Sequence, residues 1–370
     1  MKKFIINTIC FSIPILMVIG SCIYILYDSG EIYSEGSIIK PLKEQQLIGL
    51  AYTEINEHYK FEMCNKVYHS DVLALGSSRI MQVKRNIISK KFTFYNAGGA
   101  VNNIYQFKHF IDNLNYKPKM ILINIDQWFF NPNFVNQKQT FNTDCYKKPD
   151  LDLYGKCTNL IKDIYLRKIH FEKIFNRNNS DIGLNAIMNR NGFTYDGSYN
   201  YGGVTKSPIN ATDYNFRDTY KRIEEGNKRF QYCDKADQTV TDAIDSFLSE
   251  CEKNRISVLA ILPPFAPIIN KKLDQTHKYT YMDQIYDMLT PIFYKHNRCY
   301  LYDYTNMSSL GVNNYDFIDG FHGSELIYNI IIKCIISKNK DISRYFVGID
   351  SINKINSRYI EKKIRYHELN

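Results

Sequence analysis

Short apolar runs alternate with amphipathic stretches along most of the chain from about residue 70 onward. Runs of strand length occupy residues 71–75, 92–95, 120–125, 257–262 and 299–304. Stretches in which apolar residues recur with helical spacing, such as 102–115 and 239–254, lie between several of them. Strands that alternate with helices are typical of a parallel sheet covered on both faces. The pattern predicts an α/β fold with three α/β/α layers.

The N-terminus carries a longer apolar run, from Phe4 to about Tyr27, between Lys2 and Lys3 on one side and Asp28 on the other. At about 1.5 Å per residue this helix would reach roughly 35 Å, enough to cross a bilayer. We therefore expect residues 1–28 to form a single-pass anchor in the cell (inner) membrane. The two lysines predict a cytoplasmic N-terminus and an extracytoplasmic body.

A lipoprotein signal is the alternative interpretation of this segment, since Ile19-Gly20-Ser21-Cys22 loosely resembles a cleavage box. The apolar run continues beyond Cys22, which favours an uncleaved anchor.

Differences in composition divide the rest of the chain into a stalk, an α/β domain and a C-terminal tail. Residues 29–68 are interpreted as a juxtamembrane stalk with some helix, and residues 69–340 as the α/β domain. Within that domain, residues from about 130 to 235 lack the alternation and are rich in Asn, Tyr, Asp and Gly, which indicates a large insertion or lid. Residues 341–370 form a basic tail, either a solvated helix or a contact for anionic lipid or polymer.

Charge and cysteine content limit the classes of function. The formal net charge of +9 over 370 residues suits an anionic surface or polymer, but no nucleic-acid-binding motif accompanies it. The nine cysteines show neither a CxxC pair nor Cys/His spacing typical of zinc. We expect no metal, no cofactor and no nucleic-acid partner. Cys145 and Cys157 are either a disulfide outside the cell or plain core residues.

Candidate chemistry begins at Gly76-Ser77-Ser78-Arg79, directly after the first predicted strand. Ligands of parallel sheets gather outside the carboxyl ends of the strands. A serine that starts a helix has backbone N–H groups near its own oxygen, which suits stabilisation of an oxyanion. Serine is also a preferred helix N-cap, so capping is the structural alternative.

A serine nucleophile requires a base. Asp319 stands three residues before His322 in a glycine-containing loop after the last predicted strand. This spacing lets the carboxylate reach one imidazole nitrogen while the other nitrogen faces a neighbouring strand end. The sequence therefore predicts Ser78 as nucleophile, His322 as general base and Asp319 as its orienting partner.

Five segments in order resemble the conserved blocks of the SGNH/GDSL hydrolase superfamily: "GSSR" at Gly76, "FYNAGG", "ILINIDQW", "ILPPF" and Asp319-Gly-Phe-His322. The resemblance covers about residues 70–330 without the insertion. It is strongest to the membrane-anchored branch that accompanies membrane-bound O-acyltransferases and includes the D-alanine transfer protein of teichoic acid modification and the alginate O-acetylation proteins. The resemblance implies the same roles for Ser78, His322 and Asp319, with Ser77 where the hydrolases usually have Asp.

The resemblance also implies an oxyanion hole made of the Ser78 N–H and the N–H of Gly99 or Gly98. The third donor of the family, an Asn in a Gly-x-Asn-Asp block, has no counterpart in register, although Asn124, Asp126 and Gln127 lie nearby. Arg79, Asn124 and Gln127 are the candidates for substrate binding. A solvated arginine at a helix start is the alternative for Arg79.

These features together predict a membrane-anchored serine O-acyltransferase or esterase that acts, through a Ser78 acyl-enzyme, on an acyl group such as acetyl on a cell-surface polysaccharide. A membrane-bound O-acyltransferase is the expected protein partner. The alternative is a catalytically inactive SGNH-like glycan-binding or scaffold protein. A lipid esterase is a third interpretation, but the polar, Tyr-rich and Asn-rich insertion argues against the apolar cleft that it would need.

Overall fold

The computed structural model describes residues 1–134, 146–176, 180–362 and 364–367. The chain divides into two compact units. The first contains Met1–Ile55, Lys147–Tyr195 and Asn200–Gly202, and the second contains Asn56–Tyr146, Asp196–Tyr199 and Gly203–Asn370.

The described strands are β1 (Val72–Gly76), β2 (Phe94–Gly98), β3 (Met120–Asn124), β4 (Asn191–Phe193), β5 (Tyr199–Tyr201), β6 (Ser257–Leu262) and β7 (Cys299–Asp303). The described α-helices are α1 (Lys2–Asp28), α2 (Glu35–Ile38), α3 (Asn56–Lys66), α4 (Tyr105–Asp112), α5 (Leu153–Tyr165), α6 (Phe171–Phe175), α7 (Leu184–Asn189), α8 (Gly202–Lys206), α9 (Arg217–Glu225), α10 (Val240–Lys253), α11 (Pro267–Thr276), α12 (Tyr281–Lys295), α13 (Glu325–Lys338), α14 (Lys340–Ser343) and α15 (Ile349–Glu361).

A five-stranded parallel sheet in the order β2-β1-β3-β6-β7 forms the centre of the second unit. Every residue of β1, β2, β3 and β6 is buried, as expected for strands covered on both faces. β4 and β5 pair separately as a two-stranded sheet. The predicted α/β class with a parallel sheet is confirmed.

Helix α4 connects β2 to β3, α10 connects β3 to β6 and α12 precedes β7, and the three helices lie side by side. Right-handed crossovers put these three helices on the same face of the sheet and leave the opposite face for α13, which follows β7. Helix α15 packs on α13, where the Asn329 side-chain amide donates to Asn356 Oδ1 at 2.9 Å. The C-terminal segment, predicted as a basic tail, is therefore largely a packed helix with Ile352 buried.

The strand predictions agree with the structure within about a residue except at β2, which extends to Gly98 instead of ending at residue 95. Asn96, Ala97 and Gly98 have the composition of a turn, but all three are buried and pair with β1. The Asn96 side chain compensates for its burial by donating to the Ile80 and Val83 carbonyls at 2.9 and 2.8 Å.

The first unit is built around the last turns of α1. Cys22, Ile25 and Leu26 are buried together with Leu160 of α5 and Ile174 of α6. Most other apolar side chains of α1 are exposed, and the helix is long and apolar enough, by length and composition, to cross a membrane.

The two compact units do not follow two of the predicted boundaries. Residues 29–55, predicted as part of a stalk, belong to the first unit, where Glu31, Leu47 and Ile48 are buried. Residues 56–66 form α3 of the second unit. The predicted insertion is also divided, since 147–195 belong to the first unit and 203–235 to the second. Composition identified both segments as different from the sheet region, but not where they pack.

The strand order reverses at β1, because the chain passes from β1 to β2 in one direction and from β2 to β3 in the other. In doubly wound sheets, the crevice outside the carboxyl ends of the two strands at such a switch point is the usual ligand site. Here those ends are Gly76 of β1 and Asn124 of β3.

Candidate active site

Two adjacent serines follow β1 and have different surroundings. Ser77 is buried and caps the 3₁₀ helix Ser78–Gln82 by accepting a hydrogen bond from the Arg79 N–H at 3.2 Å. Ser78, the first residue of that helix, is partly exposed. The corner requires Gly76, because a Cβ at that position would lie 1.8 Å from Asn124 Oδ1. Of the two serines, Ser78 is the more exposed.

Ser78, His322 and Asp319 form one hydrogen-bonded chain. Ser78 Oγ lies 2.7 Å from His322 Nε2, and His322 Nδ1 lies 2.6 Å from Asp319 Oδ2. Because Nδ1 faces a carboxylate, the ring proton belongs on Nδ1 and Nε2 accepts the proton of the Ser78 hydroxyl. The structure brings together the three residues that the sequence predicts as nucleophile, base and orienting partner.

The Asp319 carboxylate also organises the backbone around it. Its Oδ1 accepts hydrogen bonds from the Phe321 and His322 N–H groups at 3.0 and 2.8 Å. Burial acts to raise the pKa of Asp319, but the His322 ring and these hydrogen bonds outweigh it and lower the pKa to about 2. Asp319 is therefore ionised throughout the neutral range, as an orienting carboxylate must be.

Asp213 supports the same loop, and no sequence signal pointed to it. Its Oδ2 accepts the Gly320 N–H at 3.0 Å and the Thr219 hydroxyl at 2.6 Å. Burial and the nearby Asp319 carboxylate raise the pKa of Asp213, while its hydrogen bonds lower it. Its separation from Gly320 by 107 residues explains why spacing along the chain could not reveal it.

Replacing Asp319 with asparagine should destabilise the protein in a pH-dependent way. The folded-state pKa of about 2 lies below the ordinary 3.8, so the ionised carboxylate stabilises the fold. This contribution is complete above about pH 4 and is lost as the pH falls through about 2. Urea unfolding of parent and Asp319→Asn at about pH 6 and about pH 2.5 should show a difference in unfolding free energy that shrinks at the lower pH. A difference independent of pH would contradict this assignment.

Backbone donors for an oxyanion are fewer than the resemblance implies. The Gly99 N–H donates to the Gly76 carbonyl at 2.8 Å, and the Gly98 N–H donates to Asn96 Oδ1 at 2.7 Å. The prediction of these glycines as oxyanion donors is therefore not supported by this conformation. The Ser78 N–H, as the first of its helix, has no partner among the described hydrogen bonds and remains able to donate.

Arg79 does not face a substrate, which corrects its assignment as a candidate ligand. Its side chain is fully buried between the aromatic rings of Trp128 and Phe265, 5.1 and 4.7 Å from the ring centroids. The guanidinium donates to the carbonyls of Phe321, Pro263 and Pro264 at 2.8, 2.9 and 2.5 Å. Arg79 thus connects the helix that begins at Ser78 to the loop that carries His322.

Asn124 and Gln127 are also fully buried and belong to the same internal network. The Asn124 amide donates to Asp126 Oδ1 at 2.6 Å and to Ser77 Oγ at 3.3 Å. Gln127 Oε1 accepts from Arg79 at 2.7 Å, and its amide donates to the Pro263 carbonyl at 2.8 Å. Their assignment as substrate ligands is therefore not supported, since both side chains have no solvent exposure.

Arg229 is a cation near the site that the sequence analysis missed. Its guanidinium lies 5.3 Å from the Trp128 ring centroid and 5.4 Å from that of Phe321. The Phe321 ring in turn lies 4.5 Å from the His322 ring. Arg229 is partly exposed, and its positive charge acts to lower the pKa values of Asp126 and Arg79. The only signal in the sequence is a basic residue beside aromatic ones, which is too common to select it.

The described residues contain no group of three or more His, Cys, Asp and Glu side chains arranged to hold a metal ion. Cys157 is a free thiol. The predicted pairing with Cys145 lies outside the described residues.

No protein-family model matches this chain, and no curated protein is significantly similar to it.

Proposed function

We propose that this protein is a membrane-anchored, extracytoplasmic serine O-acyltransferase or esterase of the SGNH type that acts on a cell-surface polysaccharide. The observation that carries the proposal is the continuous chain from Ser78 Oγ through His322 to Asp319, with contacts of 2.7 and 2.6 Å. Its position at the switch point of a parallel sheet adds support, because ligands gather there.

The first half-reaction forms an acyl-enzyme. His322 Nε2 accepts the Ser78 hydroxyl proton while Ser78 Oγ bonds to the acyl carbonyl carbon, which converts the carbonyl oxygen to an oxyanion. The Ser78 N–H donates to that oxyanion. The imidazolium then gives its proton to the leaving oxygen as the carbon–oxygen bond of the donor breaks.

The second half-reaction reverses these roles with a new acceptor. His322 removes a proton from a hydroxyl of the polysaccharide, or from water, and the acceptor oxygen attacks the acyl carbon. Ser78 leaves and recovers its proton from the imidazolium. Transfer and hydrolysis thus use the same residues and differ in which acceptor reaches the acyl-enzyme.

The inactive scaffold remains the second candidate, and one observation favours it. The N–H groups of Gly98 and Gly99 already donate to Asn96 and Gly76. Among the described residues at this corner, this leaves the Ser78 N–H as the one backbone donor identified for the oxyanion. Loss of a single donor costs on the order of 10²–10³ in rate. Under the enzymatic proposal we accordingly expect slow turnover, or an acyl donor whose binding reorganises the glycine segment.

Burst kinetics with an activated aryl acetate separate the two candidates. If the acyl-enzyme forms faster than it is hydrolysed, the first phase should release about one molecule of aryl alcohol per protein molecule. A slow steady state should follow. A scaffold protein would give no burst. The Asp319→Asn variant is the matched control, because it retains Ser78 but should lower the rate by about 10⁴ through the wrong imidazole tautomer.

Arg229 suggests that the preferred acceptor or donor is anionic. A partly exposed guanidinium that lies over the Trp128 and Phe321 rings, the second of which contacts the His322 ring, suits a carboxylate or phosphate on the substrate. Arg229→Gln should raise KM for an anionic ester by roughly tenfold, equivalent to one charge-assisted hydrogen bond of ~1.5 kcal/mol. KM for a neutral ester should change little.

Steady-state kinetics with a matched pair of acetylated neutral and uronic-acid oligosaccharides provide the measurement. Exposed Arg358 of α15 offers a control substitution, Arg358→Gln, that removes the same charge elsewhere. An equal change of KM for both substrates would refute the role of Arg229 in charge recognition.

A further inference from the structure

The apolar surface of the first unit extends beyond α1. Helix α5 buries Leu160, and Leu153, Cys157 and Ile164 pack against the same core as Cys22, Ile25 and Leu26 of α1. The neighbouring face of α5, one residue farther along at each position, exposes Tyr154, Ile161 and Tyr165 to 85, 47 and 85 %. Positions separated by seven and four residues lie on one side of a helix. Helix α5 therefore has one apolar face against α1 and a second apolar, aromatic face that nothing in the described first unit covers.

Helix α6 continues this surface along α1. Leu166, the residue after α5, is 47 % exposed. Phe171 and Phe175 are 42 and 50 % exposed. They border a groove of about 560 Å³ together with Met17, Gly20 and Tyr24 of α1. The Phe175 ring stacks on that of Tyr24, with 6.1 Å between the centroids. Exposed phenylalanines beside an exposed apolar helix are unfavourable in water and favourable in lipid.

The length of α1 gives the depth at which these side chains would lie. A hydrocarbon layer of about 30 Å takes about 20 helical residues, and a span that begins at Lys3 would end near Cys22. Met17 and Gly20 would then lie inside the apolar layer, close to the boundary on the side of the folded body. Phe171 and Phe175, which border the same groove, would lie at that boundary.

The tyrosines and basic residues of this region are of the types found at a membrane boundary. Tyrosine is enriched at the headgroup level of membrane proteins, where its ring is apolar and its hydroxyl reaches water. Basic residues beside the aromatic positions are suited to lipid phosphates. Lys162, Arg167 and Lys168 are all exposed next to the aromatic face.

We propose that α5 and α6 lie in the bilayer interface as an amphipathic layer beside α1, which we term the interfacial patch: Tyr154, Ile161, Tyr165, Leu166, Phe171 and Phe175. Phospholipid acyl chains fill the groove between α1 and α6, and the tyrosines lie among the headgroups. The patch fixes the first unit against the membrane rather than leaving it on a flexible tether. This inference rests on the membrane anchor that forms part of the proposed function, but not on the catalytic residues.

Quenching of introduced tryptophans by brominated phospholipids tests the patch in the full chain, reconstituted in phosphatidylcholine and phosphatidylglycerol nanodiscs. The native chain has one tryptophan, Trp128, which is buried and provides the unquenched background. Phe175→Trp and Tyr165→Trp replace exposed rings with a larger ring, so the fold should tolerate both. Phe11→Trp, near the middle of α1, reports on the anchor itself.

We expect bromines near the ester groups to reduce the added emission of Phe175→Trp and Tyr165→Trp roughly twofold, as for side chains at the headgroup boundary. Bromines near the chain ends should quench Phe11→Trp most. Quenching of Phe11→Trp with no quenching of the other two would overturn the patch while leaving the anchor intact, and would indicate coverage by protein instead. Absence of quenching in all three variants would overturn the anchor and the patch together.

Discussion

Replacing Ser78 with alanine should lower turnover of an activated ester by on the order of 10⁴–10⁶, because it removes the hydroxyl that lies 2.7 Å from His322 Nε2. The fold should be unaffected, since the partly exposed Ser78 side chain makes a single hydrogen bond worth about 1 kcal/mol. Steady-state hydrolysis and urea unfolding of the same preparation separate the two effects.

Ser77→Ala is the matched control for that substitution. Ser77 is adjacent, buried and acts as an N-cap, so its loss should cost about 1 kcal/mol of stability with only a modest loss of activity. If Ser77→Ala abolished activity and Ser78→Ala did not, the assignment of the nucleophile would be wrong.

Replacing Arg79 with methionine should destabilise the fold by about 3–5 kcal/mol, the cost of removing one partner of a buried ion pair. Arg79 lies 3.7 Å from Asp126 Oδ1, and both side chains have no solvent exposure. Burial raises the pKa of Asp126 while the arginine lowers it, so without Arg79 the carboxylate would be buried without its counter-ion. The carbonyls of Phe321, Pro263 and Pro264 would also lose their donor.

Chemical denaturation measures this effect, and Arg358→Met on exposed α15 is the control, expected to change stability by no more than about 0.5 kcal/mol. Arg79→Lys retains the charge but cannot reproduce the forked geometry, so it should lie between the parent and Arg79→Met. A stable Arg79→Met protein with a raised KM would instead return Arg79 to the role of substrate ligand.

The strands and part of the candidate site are encoded by residues that are close together in the sequence. The strands could be predicted because a buried parallel strand needs a continuous apolar run, and such runs mark β1, β3 and β6. The edge strand β7 is mostly half-buried, but its Cys-Tyr-Leu-Tyr run still has strand composition. The relation of Asp319 to His322 could also be predicted, since three residues on a loop fix the approximate distance between the two side chains. The serine could be proposed because its position after β1 is a property of the fold class.

Other features depend on contacts between distant parts of the chain. Arg79 looks like an exposed residue at a helix start, and only the packing of Trp128 and Phe265 shows that it is buried. The donors expected at Gly98 and Gly99 are already used, one by a backbone carbonyl and one by the Asn96 side chain. Arg229 and Asp213 reach the site from the segment interpreted as an insertion, where no periodicity indicated a position.

Intact-mass analysis after exposure to a serine-directed phosphonate tests the central claim most directly. The full-length protein in detergent should gain one adduct, mapped by peptide analysis to Ser78. The adduct should be absent from Ser78→Ala and present in Ser77→Ala. A correctly folded parent protein that forms no adduct, or an adduct that persists in Ser78→Ala, would contradict the assignment of Ser78 as an activated nucleophile and favour the scaffold function.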